Sequence, residues 1–284
     1  MLSLFLLFFF VFGTVIGSFL NVVVLRYGAK TVSGRSICLS CGKALRWFEL
    51  VPLMSFVAQN GRCRGCQTRI SWQYFLVELI TGLVFAAIAY KNLQLTTDNS
   101  QPVWWLVVGG ELLLWCLLIM LSVYDLRHKI IPDALVYSAG ALSLLILLFS
   151  YRETYNLQLT TYNFFSGFLF AAPFALIWFF SRGRAMGLGD AKLIVFFPWL
   201  LGLAKGLSAL IIGFWLGAAI SVAALVLKAA VSLLPRRLSP ALRTRLRTLS
   251  LKTELPLGPF LVLGLFLVYL FGWDITGLGM LLGE

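Results

Sequence analysis

Long apolar runs separated by short polar ones repeat along the whole chain. They fall at about 2–25, 74–90, 103–124, 133–149, 162–180, 191–203, 206–233 and 257–280. Most approach the roughly 20 residues that an α-helix needs to cross a bilayer. The pattern predicts an all-α integral membrane protein with about eight transmembrane helices. The sixth run is short and passes almost directly into the seventh through Gly202 to Gly206. The first lacks a basic leading segment and a small-x-small cleavage site, so it reads as a retained helix rather than a cleaved signal peptide. Only residues 26–72 form a substantial polar interruption. The chain is therefore expected to divide into a first helix at 1–25, a small loop domain at 26–72 and a multi-span core at 73–284.

Composition supports this reading. The chain is 60% hydrophobic and 12% charged, against roughly 25% charged in soluble domains. The net charge is +12, and its distribution decides what it means. When loops are assigned alternately to two sides, all 23 basic residues except Lys91, Arg152 and Lys205 fall on one side. That bias places the basic loops in the cytoplasm and both termini outside. The charge then serves orientation and contact with anionic lipid headgroups, not nucleic acid. In the Arg-rich last loop, Pro240 to Leu251 reads as an amphipathic helix lying on the membrane surface.

The polar segment carries Cys38-x2-Cys41 and Cys63-x2-Cys66, with 21 residues between the pairs. Two such pairs can place four thiolates around one tetrahedral zinc. Two disulfides are the alternative, disfavoured in a reducing cytoplasm. Four thiolates leave no open position for a water, and a segment this small needs a staple, so the zinc is expected to be structural. Cys116, beside Trp115 in the third run, reads as an apolar packing residue.

Acids inside apolar runs are costly, roughly 2.5–3.5 kcal/mol at the bilayer centre. Glu78 lies about one turn into the second run and is either paired or functional. Asn21, near the end of the first, reads as a helix–helix hydrogen bond or a substrate contact. Asp125 closes the third run, and Asp133 follows Pro132 as a first-turn acid of the fourth. His128, the only histidine, reads as a loop residue. Asp190 sits in Met186-Gly187-Leu188-Gly189-Asp190-Ala191-Lys192, at the mouth of the sixth run. By topology Asp125 and Asp190 share one depth. Two neighbouring carboxylates do not both ionise easily. One member can activate a water while the other protonates a leaving amine, which hydrolyses a peptide bond without metal or serine. Gly187 and Gly189 then leave room for a peptide backbone. The alternative is two unrelated acids paired with Lys129 or Lys192. Glu254-Leu-Pro-Leu-Gly-Pro-Phe260 makes a rigid start to the eighth run with no readable function.

Taken in order, these features resemble the bacterial type IV prepilin peptidases, a group of glycine-x-glycine-aspartate intramembrane aspartyl proteases. The matching stretches are Gly17-Ser-Phe-Leu-Asn21, the paired cysteines, Ile70-Ser71 through Glu78-Leu79, and Asp125 followed by Ile131-Pro132-Asp133. Gly187-Leu-Gly-Asp-Ala-Lys-Leu193 and Pro256-Leu-Gly-Pro-Phe-Leu261 complete the set. Leu39 and Leu257 stand where proline and phenylalanine are common. The resemblance implies cleavage of the basic leader of type IV pilin-like or pseudopilin precursors after a glycine. It also implies methylation of the new N-terminal amine with S-adenosylmethionine. Asp125 and Asp190 match the catalytic aspartates, and Cys38, Cys41, Cys63 and Cys66 match the metal-binding cysteines. Gly187, Gly189, Lys192, Glu78 and Asn21 are expected to support the site. The implied location is the bacterial inner membrane, with active site and zinc loop facing the cytoplasm. Two other readings remain open at this point: a proton-coupled transporter using Asp125, Asp190 and Glu78 as a relay, and a zinc-binding membrane adaptor without catalysis.

Overall fold

A computed structural model describes residues 2–28, 34–95, 102–154, 157–184, 186–233 and 256–282. Pro240 to Leu251, read above as an amphipathic helix, lies outside the described residues. The helices are α1 (Leu2–Arg26), α2 (Met54–Ala58), α3 (Trp72–Leu95), α4 (Pro102–His128), α5 (Asp133–Thr154), α6 (Leu157–Ser181), α7 (Leu188–Ile194), α8 (Phe197–Leu201), α9 (Leu203–Leu233), α10 (Gly258–Phe271) and α11 (Leu278–Leu282). Among the described residues, extended pairing is limited to two isolated bridges. Leu2–Arg26, Trp72–Leu93, Trp105–His128, Leu157–Ser181 and Leu203–Val226 are long and apolar enough to cross a membrane, and Asp133–Phe149 and Gly258–Phe271 are shorter apolar helices. Exposed side chains such as Phe8, Phe19, Phe165, Phe179 and Trp215 suit a lipid-facing surface. The protein is a multi-pass membrane protein.

The expected sixth span, 191–203, is not one helix. It is the pair α7 and α8, which meet at Val195 and Phe196. Pro198 supplies the reason, since its ring clashes with the carbonyl four residues earlier and it donates no backbone hydrogen bond. That carbonyl belongs to Ile194, where α7 ends. Gly202, at φ +85° and ψ 170°, then turns the chain into α9, whose first N–H, from Leu203, is accepted by Asn163 Oδ1 at 3.0 Å. The expected eighth span, 257–280, also stops early. Gly272 caps α10 in the left-handed region at φ +69°, which leaves a 14-residue helix about 21 Å long.

The chain divides into two compact units, Met1–Val123 and Tyr124–Glu284. In the first, α1 and α3 approach through small residues. A Cβ on Gly13 would lie 2.8 Å from Phe85 Cβ, and one on Gly82 would lie 2.8 Å from Thr14 Cγ2. Side chains there would force the backbones apart, the usual reason for glycine at helix crossings in lipid. Phe9, Ala89 and Val108 form a buried cluster beside them. Glu111 accepts a hydrogen bond from Asn92 Nδ2 at 2.6 Å.

In the second unit α10 lies against α9. A Cβ on Gly264 would come 2.6 Å from Ala209 O and 2.7 Å from Gly213 Cα. Beyond α10 the chain is pinned by Asp274. Its Oδ1 accepts from the Thr276 hydroxyl at 2.6 Å and from the Ser208 hydroxyl at 3.3 Å, and its Oδ2 accepts from Gly279 N–H at 2.7 Å. Led by the Thr276 hydroxyl and then the Gly279 N–H, these donors hold the Asp274 carboxyl down at about 2. The C-terminal end of α10 is thereby tied to Ser208 on α9. A helix fixed in this way presents its first residue, Gly258, in a defined position.

Candidate active site and metal centre

Asp125 is buried, 4% exposed, three residues before the end of α4. Its Oδ2 accepts the backbone N–H of Gly258 at 3.2 Å. That N–H opens α10, so the carboxylate faces the positive end of a helix dipole. Glycine is required there: a Cβ on Gly258 would lie 2.7 Å from Asp125 Oδ2. Pro259 follows in the first turn, where its missing N–H costs nothing. The rigid Pro-Leu-Gly-Pro start of the eighth run thus supplies a hydrogen bond to an acid 133 residues away in sequence.

Asp190 stands in the first turn of α7. Burial, and secondarily the charge of Asp125, push its carboxyl from 3.8 up to about 7. The two acids are close enough to act on each other electrostatically. Gly187 precedes α7 in extended conformation, and a Cβ there would make only an ordinary 3.7 Å contact with Asp190 Oδ2. Gly189 is confined by packing, because its Cβ would lie 2.7 Å from Ile131 Cβ. Lys192 turns away from the two acids. Its Nζ pairs with Asp133 Oδ1 at 2.6 Å and sits 5.0 Å from the Tyr137 ring centre. His128 is exposed, with its ring 4.4 Å from that of Tyr124.

Glu78 and Asn21 belong to the first unit, and each has a partner there. Glu78 Oε2 accepts the N–H of Leu53 at 2.8 Å. Leu53 has φ 58° and ψ −52°, a conformation that costs an L-residue of order 1–3 kcal/mol. The carboxylate therefore holds a strained turn at the start of α2. Asn21 Nδ2 donates to Tyr74 O at 3.2 Å, a bond between α1 and α3.

The sulfur atoms of Cys38, Cys41, Cys63 and Cys66 all lie within 4.8 Å of one another. All four are free thiols. Cys38 and Cys66 Sγ are 3.8 Å apart, about the tetrahedral edge expected for sulfur atoms roughly 2.3 Å from a zinc. The two pairs occupy copies of one turn. Bridges Ile37–Ala44 and Arg62–Arg69 close them. Cys38 N–H donates to Lys43 O, and Cys63 N–H to Thr68 O, each at 2.9 Å. Gly42 and Gln67 occupy equivalent places, at φ +70° and φ +59°. Gly65 N–H donates to Cys63 Sγ at 3.3 Å, as backbone amides do around metal thiolates. The Thr68 hydroxyl, and next its backbone, hold the Cys66 thiol down at about 6, which favours the ligating thiolate. The donor set fits a closed tetrahedral metal. The sequence reading expected these four cysteines to come together, as they do, but had no way to see the duplicated turn.

Comparison with known proteins covers both regions. Residues 11–92 match the family described as Bacterial Peptidase A24 N-terminal domain, and residues 112–222 match the Type IV leader peptidase family. The prepilin leader peptidase/N-methyltransferase of Vibrio cholerae is 30% identical over 210 residues, 70% of this chain and 78% of that protein. The one from Burkholderia pseudomallei strain 1026b is 31% identical over 284 residues, 89% of this chain and 81% of that protein. The one from Myxococcus xanthus is 42% identical over 131 residues, 45% of this chain but only 36% of that protein. No solved structure matches.

Proposed function

Because this chain belongs to the type IV leader peptidase family, we propose that Asp125 and Asp190 are the acid–base pair of a prepilin peptidase working at the cytoplasmic face of a bacterial inner membrane. The observation that carries the assignment is the difference between their surroundings. Asp125 accepts a backbone hydrogen bond from the α10 terminus, which orients its carboxylate as the base. Asp190, pushed up to about 7, is the acid. Asp125 takes a proton from a water as that water attacks the scissile carbonyl carbon. Asp190 gives its proton to the leaving amine as the peptide bond breaks.

The substrate class is a pilin-like or pseudopilin precursor with a basic leader followed by an apolar helix. The leader and the expected cytoplasmic face carry the same charge. Attraction therefore comes from anionic lipid and from the substrate helix lying beside the spans, with its extended junction reaching the acids laterally. The region from residue 73 onward acts as the peptidase core, and residues 26–72 form a separate tetracysteine domain.

Cys38, Cys41, Cys63 and Cys66 would hold a structural zinc. With all four positions filled by thiolate, the metal would supply folding energy rather than a reactive water. The purified protein is expected to contain about one zinc per chain, and Cys38→Ser to retain under about 0.2. Metal-free wild type with full activity would contradict this role.

The second activity is methylation of the newly exposed N-terminal amine, for which S-adenosylmethionine would supply an electrophilic methyl group. Among the described residues no glycine-rich loop joins a strand to a helix, and no residue is assigned to that cofactor. Incubating the purified protein with a pilin-like precursor tests both activities. Mass spectrometry is expected to show a product lacking its leader, heavier by one methyl group when the cofactor is present. An intact precursor would refute the peptidase assignment, and an unmethylated product would refute the second activity.

A further inference from the structure

Ile131 lies in the turn between α4 and α5, a position neither the geometry of the acids nor their proposed chemistry uses directly. Its Cδ1 methyl is 3.4 Å from the Cβ position of Gly189 and also 3.4 Å from the Cβ position of Gly258. Gly189 immediately precedes Asp190, and Gly258 donates its N–H to Asp125. One methyl group thus lies against both pieces of backbone that carry or hold the two acids. The turn around it is stiff. Lys129 is left-handed at φ 54°, with its N–H bonded to Asp125 O at 2.8 Å, and Pro132 fixes the other side. Two residues beyond Ile131, Asp133 binds Lys192 at 2.6 Å. That pair straps the turn to α7 from its outer side. The strap is partly exposed, and the wedge is half-buried.

Resting on the acid–base reading above, we propose that Ile131 is a positioning residue that sets the spacing between Asp125 and Asp190, with the Asp133–Lys192 pair holding it in register. Ile131 touches neither the water nor the peptide. It acts by keeping Gly189 and Gly258 apart by the width of one side chain. The charged groups around it are Asp125, Asp190, Asp133 and Lys192. A change in spacing therefore reaches the pH dependence of cleavage through the first two.

Ile131→Val removes that one methyl and keeps the branched Cβ. Measured on a pilin-like precursor with purified full-length protein, it is expected to lower kcat about 10-fold, as small misplacements of reacting groups do. KM should stay within about two-fold, because ground-state binding is untouched. If Gly189 and Gly258 settle differently, the acids interact differently, and the alkaline limb of the rate profile moves. Ile131→Met restores a heavy atom at the lost position and volume, and should recover at least about half of kcat. Lys192→Met, which cuts the strap and keeps the apolar stem, is expected to lower kcat about 5-fold, also without a KM change. Wild-type kcat and pH profile in Ile131→Val would overturn the proposal. So would equal losses in Ile131→Val and Ile131→Met, which would indicate a merely structural role. Asp190→Asn run alongside separates the layers. If it is inactive while Ile131→Val is normal, only the spacing inference falls. If it still cleaves, the parent reading falls.

Discussion

Asp125→Asn and Asp190→Asn are each expected to reduce precursor cleavage by about 10³-fold or more, and the double variant by no more than either single one. The first magnitude follows from the loss of general acid or base catalysis, which alone contributes about 10²–10⁴-fold. The second follows from the two groups acting as a unit: once either proton transfer is gone, removing the other takes little more away. Asparagine keeps the size of the side chain, so the packing of Asp125 against Gly258 and of Asp190 in α7 should persist. Each variant can be checked for retained metal, since the cysteine cluster lies within the first unit and both acids lie within the second. Additive losses in the double variant would mean that the two acids work independently.

Gly258→Ala is the substitution expected to cost most among residues that carry no reactive group. Its Cβ would come 2.7 Å from Asp125 Oδ2 and 3.4 Å from Ile131 Cδ1. Neither neighbour can move freely. Asp125 is buried on α4, and α10 is held to α9 by the close approach at Gly213 and Gly264 and by Asp274 beyond its other end. The carboxylate must swing off the Gly258 N–H or α10 must shift. Either loses the hydrogen bond that orients the Asp125 carboxylate. A loss of about 10²-fold in kcat is expected, with the chain still folded. Gly110→Ala is the matched control: a Cβ there would meet nothing within 4 Å and should cost far less. Equal effects at the two glycines would argue against a specific role for Gly258.

Much of this arrangement was legible in the sequence, and the parts that were not share a cause. The apolar runs located α1, α3, α4, α5, α6 and α9, because a bilayer imposes length and composition on a helix. The sixth run was misread because Pro198 was not weighed against the carbonyl of Ile194 four residues earlier. The eighth was read too long because Gly272 and the Asp274 turn interrupt a stretch that stays apolar beyond α10. Asp125 and Asp190 were found from their shared depth and from the glycine-flanked motif. Gly258 was recognised as rigid but given no task, since nothing local connects it to Asp125 across 133 residues. Lys192 was expected to support the site, and its partner Asp133, 59 residues away, could be identified only in three dimensions. The glycine spacing also suggested one purpose where there are two. A side chain at Gly187 would make only an ordinary contact with Asp190, whereas Gly189 gives Ile131 room to pack.

The cysteine segment shows the same division. Spacing grouped the four cysteines, but the repeated turn depends on backbone bonds such as Cys38 to Lys43 and Cys63 to Thr68. Gln67 occupies the left-handed place that Gly42 fills in the other copy, which hides the repeat from a comparison of residue types. Glu78, available to a proton relay in the sequence reading, instead accepts the Leu53 N–H at a strained turn. That contact gives the buried acid a structural partner.

The central claim is that Asp125 and Asp190 divide one base and one acid between them. The pH dependence of kcat/KM for precursor cleavage tests it most directly, because it reports the proton affinities of both groups in the free enzyme. Asp190 must hold its proton to act, and its carboxyl is pushed up to about 7. Activity should therefore decline as pH rises through about 7, and on the acid side it should fall as the base gains a proton. The account expects a bell-shaped profile with its alkaline limb near neutrality. A profile that stays level from about pH 5 to pH 9, far above the ordinary carboxylate range, would contradict it.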